Sequence, residues 1–220
     1  MKTKELQDIV KLVKHAIAKE TPPVLTCINF SREGEVTHVV AADGFRLAHV
    51  KTSSSGIEGN YSLKDNEDLA TVLKCKDKLA KIGTMKQSGG IFLKWQMLIP
   101  DTTDCLAVSV NISKLLAVSK ALQDARIMRV IIQDGKLNIS AKVESGRDDI
   151  EFHTSISAKI EHNAYYNKFA INPTYVYELC KALPDKYIPD VTIYVSTPSS
   201  PVVFRHPALE EVIMPVFVQW

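Results

Sequence analysis

The feature that most constrains this chain is an order of predicted elements that runs through it twice. Residues 4–19 (KELQDIVKLVKHAIAK) read as an amphipathic helix, with Leu6, Ile9, Val10, Val13, Ala16 and Ile17 at i, i+3, i+4, i+7 spacing. Thr21-Pro22-Pro23 ends it, because proline lacks an N–H and restricts the residue before it. Strands are predicted at Val24–Phe30, Val36–Ala42 and Phe45–Thr52, with turns at Arg32-Glu33-Gly34 and Asp43-Gly44. Tyr61–Leu63 predicts a strand and Asp65-Asn66 the cap of a helix over Glu67–Ile82, followed by strands Ile91–Lys94 and Gln96–Ile99. After Pro100–Asp104 the order begins again. A helix runs from Asn111 to about Ala125, then strands Met128–Gln133, Lys136–Val143, Asp149–Ser157 and Lys168–Ile171. A helix opens at Asn172-Pro173 and runs to about Leu183, and strands Val191–Ser196, Pro201–Arg205 and Glu211–Val218 close the chain.

Leu6 and Leu115 open the first helix of each half 109 residues apart, and the strand-to-helix passages from Tyr61 and Phe169 lie 108 apart. Identity between the halves is poor, so the repeat is one of element order. It predicts an α+β chain of two tandem domains, 1–103 and 104–220, each with two helices packed on antiparallel sheets. A length of 220 residues agrees, at roughly 100–200 residues per domain. The 45% apolar content excludes a disordered chain, and no run approaches the ~20 apolar residues a membrane helix needs. The charged N-terminus does not fit a signal peptide, so the expected compartment is the cytoplasm, away from any membrane.

Catalytic signatures are nearly absent. The sequence has no GxGxxG, GxxxxGK[ST], GxSxG or HExxH motif. Cys27, Cys75, Cys105 and Cys180 lack zinc-ligand spacing and read as reduced core thiols. No two of His15, His38, His49, His153, His162 and His206 lie at metal-ligand spacing, so each reads as a surface or strand residue. Glu210-Glu211 reads as a solvated edge. A binding protein without metal or cofactor is expected rather than an enzyme.

Net charge is only +2, yet the cations are unevenly placed. The predicted helices carry Lys4, Lys11 and Lys14; Lys74, Lys78 and Lys81; Lys114, Lys120 and Arg126; and Lys181, while acidic residues gather in loops and strands. Two readings stay open: four ordinary solvated helix faces, or one shared basic face for phosphate contact.

Several segments carry a resemblance. VVAADGFRLAHVK, from Val39, is similar to the "ATDGHRLA" strand-turn-strand in the middle domain of bacterial sliding clamps, the beta subunit of DNA polymerase III. FAINPTYVYELCKAL resembles the last helix region of the clamp's third domain, SSPVVFRHPALEEVIMPV its terminal strands, and Ile99-Pro100-Asp101 the "FPD" that ends its middle domain. These segments span nearly the whole chain in the family's order. The resemblance implies a DNA-clamp fold whose first of three usual domains is missing. It also implies a ring rebuilt from two-domain chains as a homo-oligomer, with a head-to-tail trimer favoured.

The resemblance further implies a processivity factor that encircles duplex DNA without reading its sequence and tethers replication or repair proteins. Its partners would be a DNA polymerase, a clamp loader and other clamp-binding peptides. The helix cations named above would face DNA. Gly44, Phe45, Arg46, Leu47 and Pro100, with Ser200, Val212, Met214, Pro215 and Val216, would line the family's partner-peptide cleft. Phe45 stands where the family has His, Asp104 where it has Arg, and Phe217 replaces the Arg of the terminal motif, so an altered peptide preference is expected. The alternative is a clamp-fold interaction or regulatory protein that does not encircle DNA.

Overall fold

A computed structural model describes residues 3–20, 22–53, 56–63, 90–145, 148–162, 164–184 and 188–220. The chain divides into two compact units, Met1–Leu98 with Ala208–Glu210 and Ile99–Pro207 with Glu211–Trp220. The predicted helix over 67–82, Cys75 and Lys74, Lys78 and Lys81 lie outside the described residues.

In the first unit, α1 (Thr3–Val13) buries Leu6, Ile9, Val10 and Val13 against an antiparallel sheet in the order β4-β1-β2-β3. These strands are β1 (Cys27–Glu33), β2 (Val36–Ala42), β3 (Arg46–Thr52) and β4 (Gly59–Ser62). Phe30 on β1 and Tyr61 on β4 meet edge to face at 5.6 Å. The helix predicted to reach residue 19 stops at Val13 and tightens into a 3-10 turn over Lys14–Ala16. The last carbonyls of a helix lack intrahelical donors, and Arg46 of β3 takes the carbonyl of His15. The strand expected from Val24 begins instead at Cys27, because Pro23–Thr26 forms a 3-10 turn in which Thr26 Oγ1 donates to the Pro23 carbonyl at 2.7 Å.

The two strands expected at 91–94 and 96–99 do not form. Trp95–Leu98 is a 3-10 turn that buries Trp95 and leaves Ile91 and Met97 95% and 79% exposed. Apolar content alone made these residues look like strands, and the apolar side chains do not face a core.

The second unit has strands β5 (Leu106–Asn111), β6 (Met128–Gln133), β7 (Lys136–Ser145), β8 (Asp148–His162), β9 (Lys168–Ile171), β10 (Asp190–Val195), β11 (Val202–His206) and β12 (Leu209–Ile213). Their order is β12-β11-β10-β5-β8-β7-β6-β9, and residues up to Glu210 of β12 group with the first unit. The described ladders are antiparallel, and the 15-residue β8 pairs with β7 over 148–157 and with β5 over 158–162, where the register shifts between Ala107 and Val108. Helices α2 (Ile112–Ala121) and α3 (Pro173–Ala182) pack on each other. Their buried residues Ile112, Leu115, Val176 and Leu179 join a core with Phe169 and Phe204.

β5 is not among the strands expected from the sequence. It is a strand because Leu106, Val108 and Val110 alternate toward the core. At the other end, the strand expected through Val218 stops at Ile213. Pro215 cannot donate to a ladder, and the tail keeps one backbone bond, Val216 N–H to the Ala170 carbonyl at 2.7 Å. Glu210-Glu211 is not a solvated edge: Glu211 is fully buried and the Glu210 side chain is 17% exposed.

Candidate nucleic-acid and peptide interfaces

Burying an apolar stripe forces the polar residues of a helix to the opposite side. On α1 this exposes Lys4 and Lys11, with Lys14 on the following turn, and Lys11 lies 3.6 Å from Asp8 one turn earlier. On α2 it exposes Lys114 and Lys120, and α2 contains no acidic residue. On α3 it exposes Lys181, whose Nζ sits 5.6 Å from the Tyr177 ring centre.

Both helices of the second unit start from side-chain caps. Asn111 Oδ1 accepts from the Lys114 N–H at 3.2 Å and Asn172 Oδ1 from the Thr174 N–H at 2.9 Å. The caps fix where each helix begins and therefore which lysines point outward. Lys120 and Lys181 fall in the last turns, where a cation complements the helix dipole. Arg126, beyond α2, is exposed but lies on a groove of 730 Å³ with Asp124, Arg129, Lys142, Glu151 and His153. Lys142 and His153 of that groove are cations the sequence did not point to, and Arg129 lies on β6 rather than on a helix.

The β2–β3 turn of the first unit is built by Asp43. Its Oδ1 accepts from the N–H of Phe45 at 2.9 Å and of Arg46 at 3.0 Å, while Gly44 takes φ 92°, a conformation that favours glycine. The Asp43 Oδ2 holds Arg46 Nε at 3.0 Å, and the Arg46 side chain is 6% exposed. Arg46 is thus spent on Asp43 and His15, and Leu47 is buried; Gly44 and Phe45, the latter 61% exposed, are what this turn offers to solvent.

In the second unit, Ser200 closes a turn through its N–H to Thr197 Oγ1 at 3.1 Å and stays half-buried, as does Pro100. Val212 is buried in β12, Met214 is 46% exposed, and Pro215 and Val216 are half-buried beside β9. Phe217, beyond them, is 88% exposed.

The described thiols, Cys27, Cys105 and Cys180, are free and buried. Burial pushes the Cys105 thiol up and the Cys180 thiol up to about 12, with buried Glu211 adding to the latter. Among the described residues, no group of three or more His, Cys, Asp or Glu is placed to hold a metal ion, and no helix is long and apolar enough to cross a membrane.

The histidines supply what the sequence did not reveal. His38 on β2 and His49 on β3 are buried side by side under Trp95. The signal available was the Asp43-Gly44 turn, which sets Val40 opposite His49 and Lys51 opposite His38, leaving the two imidazoles diagonal neighbours.

No protein-family model and no curated protein matches this chain. Solved structures do. The chain aligns over 100% of its length with the DNA polymerase III beta subunit of Thermotoga maritima, at 17% identity and a TM-score of 0.79, covering 65% of that chain. It aligns over 99% with the DNA polymerase sliding clamp of Pseudomonas aeruginosa, at 16% identity and 0.81, covering 66%. It aligns over 99% with the sliding clamp of Bartonella birtlesii, at 18% identity and 0.80, covering 65%. The chain therefore spans just under two thirds of each of these structures, and it has the sliding-clamp fold.

Proposed function

We propose that this protein is a non-catalytic sliding clamp, a processivity factor that encircles duplex DNA and tethers a polymerase and other clamp-binding partners. The observation that carries the proposal is the clamp fold along the entire chain, at a TM-score of 0.79 over 100% of its length. Charge placement supports it. Lys114, Lys120 and Lys181 are exposed on α2 and α3, which together hold one acidic residue, Glu178, while the whole chain carries only +2. A protein retained by topology needs weak, register-independent phosphate contact, and flexible lysines supply that without reading bases. Lys4, Lys11 and Lys14 would add to this from the first unit, and Arg126 from the second.

A chain of two clamp units would supply six as a head-to-tail trimer, so we assign the ring that composition. Three copies of the 24.5 kDa chain give ~73 kDa by light scattering. Peptide partners would be met on the second unit by Met214, Pro215 and Val216 with Val212 beneath them, and on the first by Gly44 and Phe45. The exposed methionine supplies adaptable apolar contact.

The test is retention on DNA. The protein should stay on nicked circular duplex after loading and slide off on linearisation, and direct duplex binding should weaken steeply with salt. Reversing Lys114, Lys120 and Lys181 to Glu should weaken that binding about tenfold or more. Met214→Glu should abolish capture of a clamp-binding peptide while leaving duplex binding intact. A 24.5 kDa monomer that binds peptide but no DNA would replace the ring with an interaction module.

A further inference from the structure

The first unit holds a polar chain, buried at its two histidines and open to solvent at Glu33, whose side chain is 80% exposed, that the clamp reading does not use. His38 Nδ1 and His49 Nε2 are 2.9 Å apart. The rings are parallel within 13° with centres 5.2 Å apart, a separation that puts the N···N contact in line with both ring centres. They therefore meet edge to edge. The outer nitrogens reach carboxylates: His38 Nε2 lies 3.4 Å from Glu33 Oε2, and His49 Nδ1 lies 3.3 Å from Glu210 Oε2. Trp95 lies across both rings, its ring centre 5.0 Å from His38 and 4.5 Å from His49. His38, His49 and Trp95 are 8%, 3% and 5% exposed.

Counting hydrogens decides what this chain can hold. A carboxylate only accepts, so each outer nitrogen must donate, and the inner contact needs one donor and one acceptor. Three contacts require three N–H groups on four ring nitrogens. Two neutral imidazoles carry two, and one contact then goes unmade. A pair holding one extra proton carries three and fills all three contacts. In that state one ring bears hydrogens on both nitrogens, and the other bears one on its outer nitrogen and accepts through its inner one. A fourth hydrogen would set N–H against N–H at 2.9 Å. The proton belongs to the pair rather than to either ring.

We propose that Glu33, His38, His49 and Glu210 form a proton-operated latch that seats Trp95 when the pair holds one proton and releases Trp95 with its 95–98 turn when a second proton enters. The groups facing the pair are Glu33 on β1, Lys51 opposite His38 on β3, and Glu210. Burial holds the His38 imidazole below its ordinary 6.5, with His49 lowering it further, Glu33 opposing and Lys51 adding a smaller push down. The unfolded chain therefore takes this proton more readily than the folded one. Its contribution to stability is present above about pH 6.5 and is lost as pH falls below that value. The turn released is the segment just before the chain passes from one unit to the next at Leu98 and Ile99, and it presents Met97 and Leu98.

The chain has two tryptophans, so Trp220→Phe leaves Trp95 as the sole emitter. Titrated from about pH 8 to about pH 5, its emission should shift to the red and acrylamide quenching should rise below about pH 6, with far-UV dichroism unchanged. In W220F carrying H38Q or H49Q the step should disappear. Constant emission across that range, or the same step surviving in both histidine variants, overturns the latch. Because those variants can misfold, nitrogen-15 spectra of the unaltered protein's imidazoles give an independent reading near pH 7. Three protonated ring nitrogens across the pair support the latch, and one on each ring refutes it.

Discussion

The two units solve the same packing problem with different materials. The second is held by apolar contact and regular local signals. Helices α2 and α3 start from asparagine caps, β6 alternates buried and exposed along its whole length, and Phe169 and Phe204 are 1% exposed in the core. The first has fewer described strands and carries six of the nine buried polar or charged residues among those described: Thr37, His38, Arg46, His49, Asn60 and Ser62. Its turns and termini are pinned by side chains that must find one another, as Arg46 finds Asp43 and His15, and Asn60 donates to the Gly90 carbonyl at 2.9 Å. Apolar packing degrades gradually when altered. A buried polar network loses a full desolvation cost when one member goes.

That contrast can be broken in order of effect. Phe169→Ala should cost the second unit about 3–5 kcal/mol, read by urea denaturation with amide exchange resolved by unit. A loss shared equally by first-unit amides would show that the units do not have separate cores. Asp43→Ala should cost the first unit about 3 kcal/mol, because it strands the Arg46 guanidinium in a site where that side chain is 6% exposed. Arg46→Met added to it should recover part of the loss, since the buried charge is then gone. A cost below about 0.5 kcal/mol for Asp43→Ala would mean the polar network does not carry the first unit. Asn172→Ala should remove about 1 kcal/mol from the second unit alone, by opening the Thr174 N–H, visible as faster exchange in the first turn of α3. Least of all, Lys159→Ala should shift stability by under about 0.5 kcal/mol despite its 3.0 Å contact with Glu161, because the lysine side chain is 77% exposed.

How much was legible follows the same division. In the second unit, Met128–Gln133 and Lys168–Ile171 were readable to the residue, and Asn172-Pro173 marked its helix by cap chemistry. The hairpin between β6 and β7 was readable because Asp134 and Gly135 both take positive φ, 53° and 67°, as a two-residue Asp-Gly turn demands. In the first unit, Val36–Ala42 was equally clear, but Trp95 was assigned to a strand boundary and Glu210 to solvent. Each of those side chains takes its place from the imidazoles of His38 and His49, tens of residues away, and no local period records such a partner. Of the candidate sites, the exposure of the helix lysines followed from the apolar stripe opposite them. The enclosure of Arg46 did not, because it depends on where α1 ends.

What the sequence determined by itself was the place of elements such as Val36–Ala42, Met128–Gln133 and Lys168–Ile171, the start of α3, and the outward side of the helices that carry Lys4, Lys11, Lys114, Lys120 and Lys181. Turn chemistry, caps and apolar periodicity act within a few residues, so one chain suffices to read them. Tertiary structure alone decided which polar groups are buried. A histidine pair in line between two carboxylates, or a buried guanidinium on a helix-end carbonyl, exists only when separate strands bring its parts within 3–4 Å.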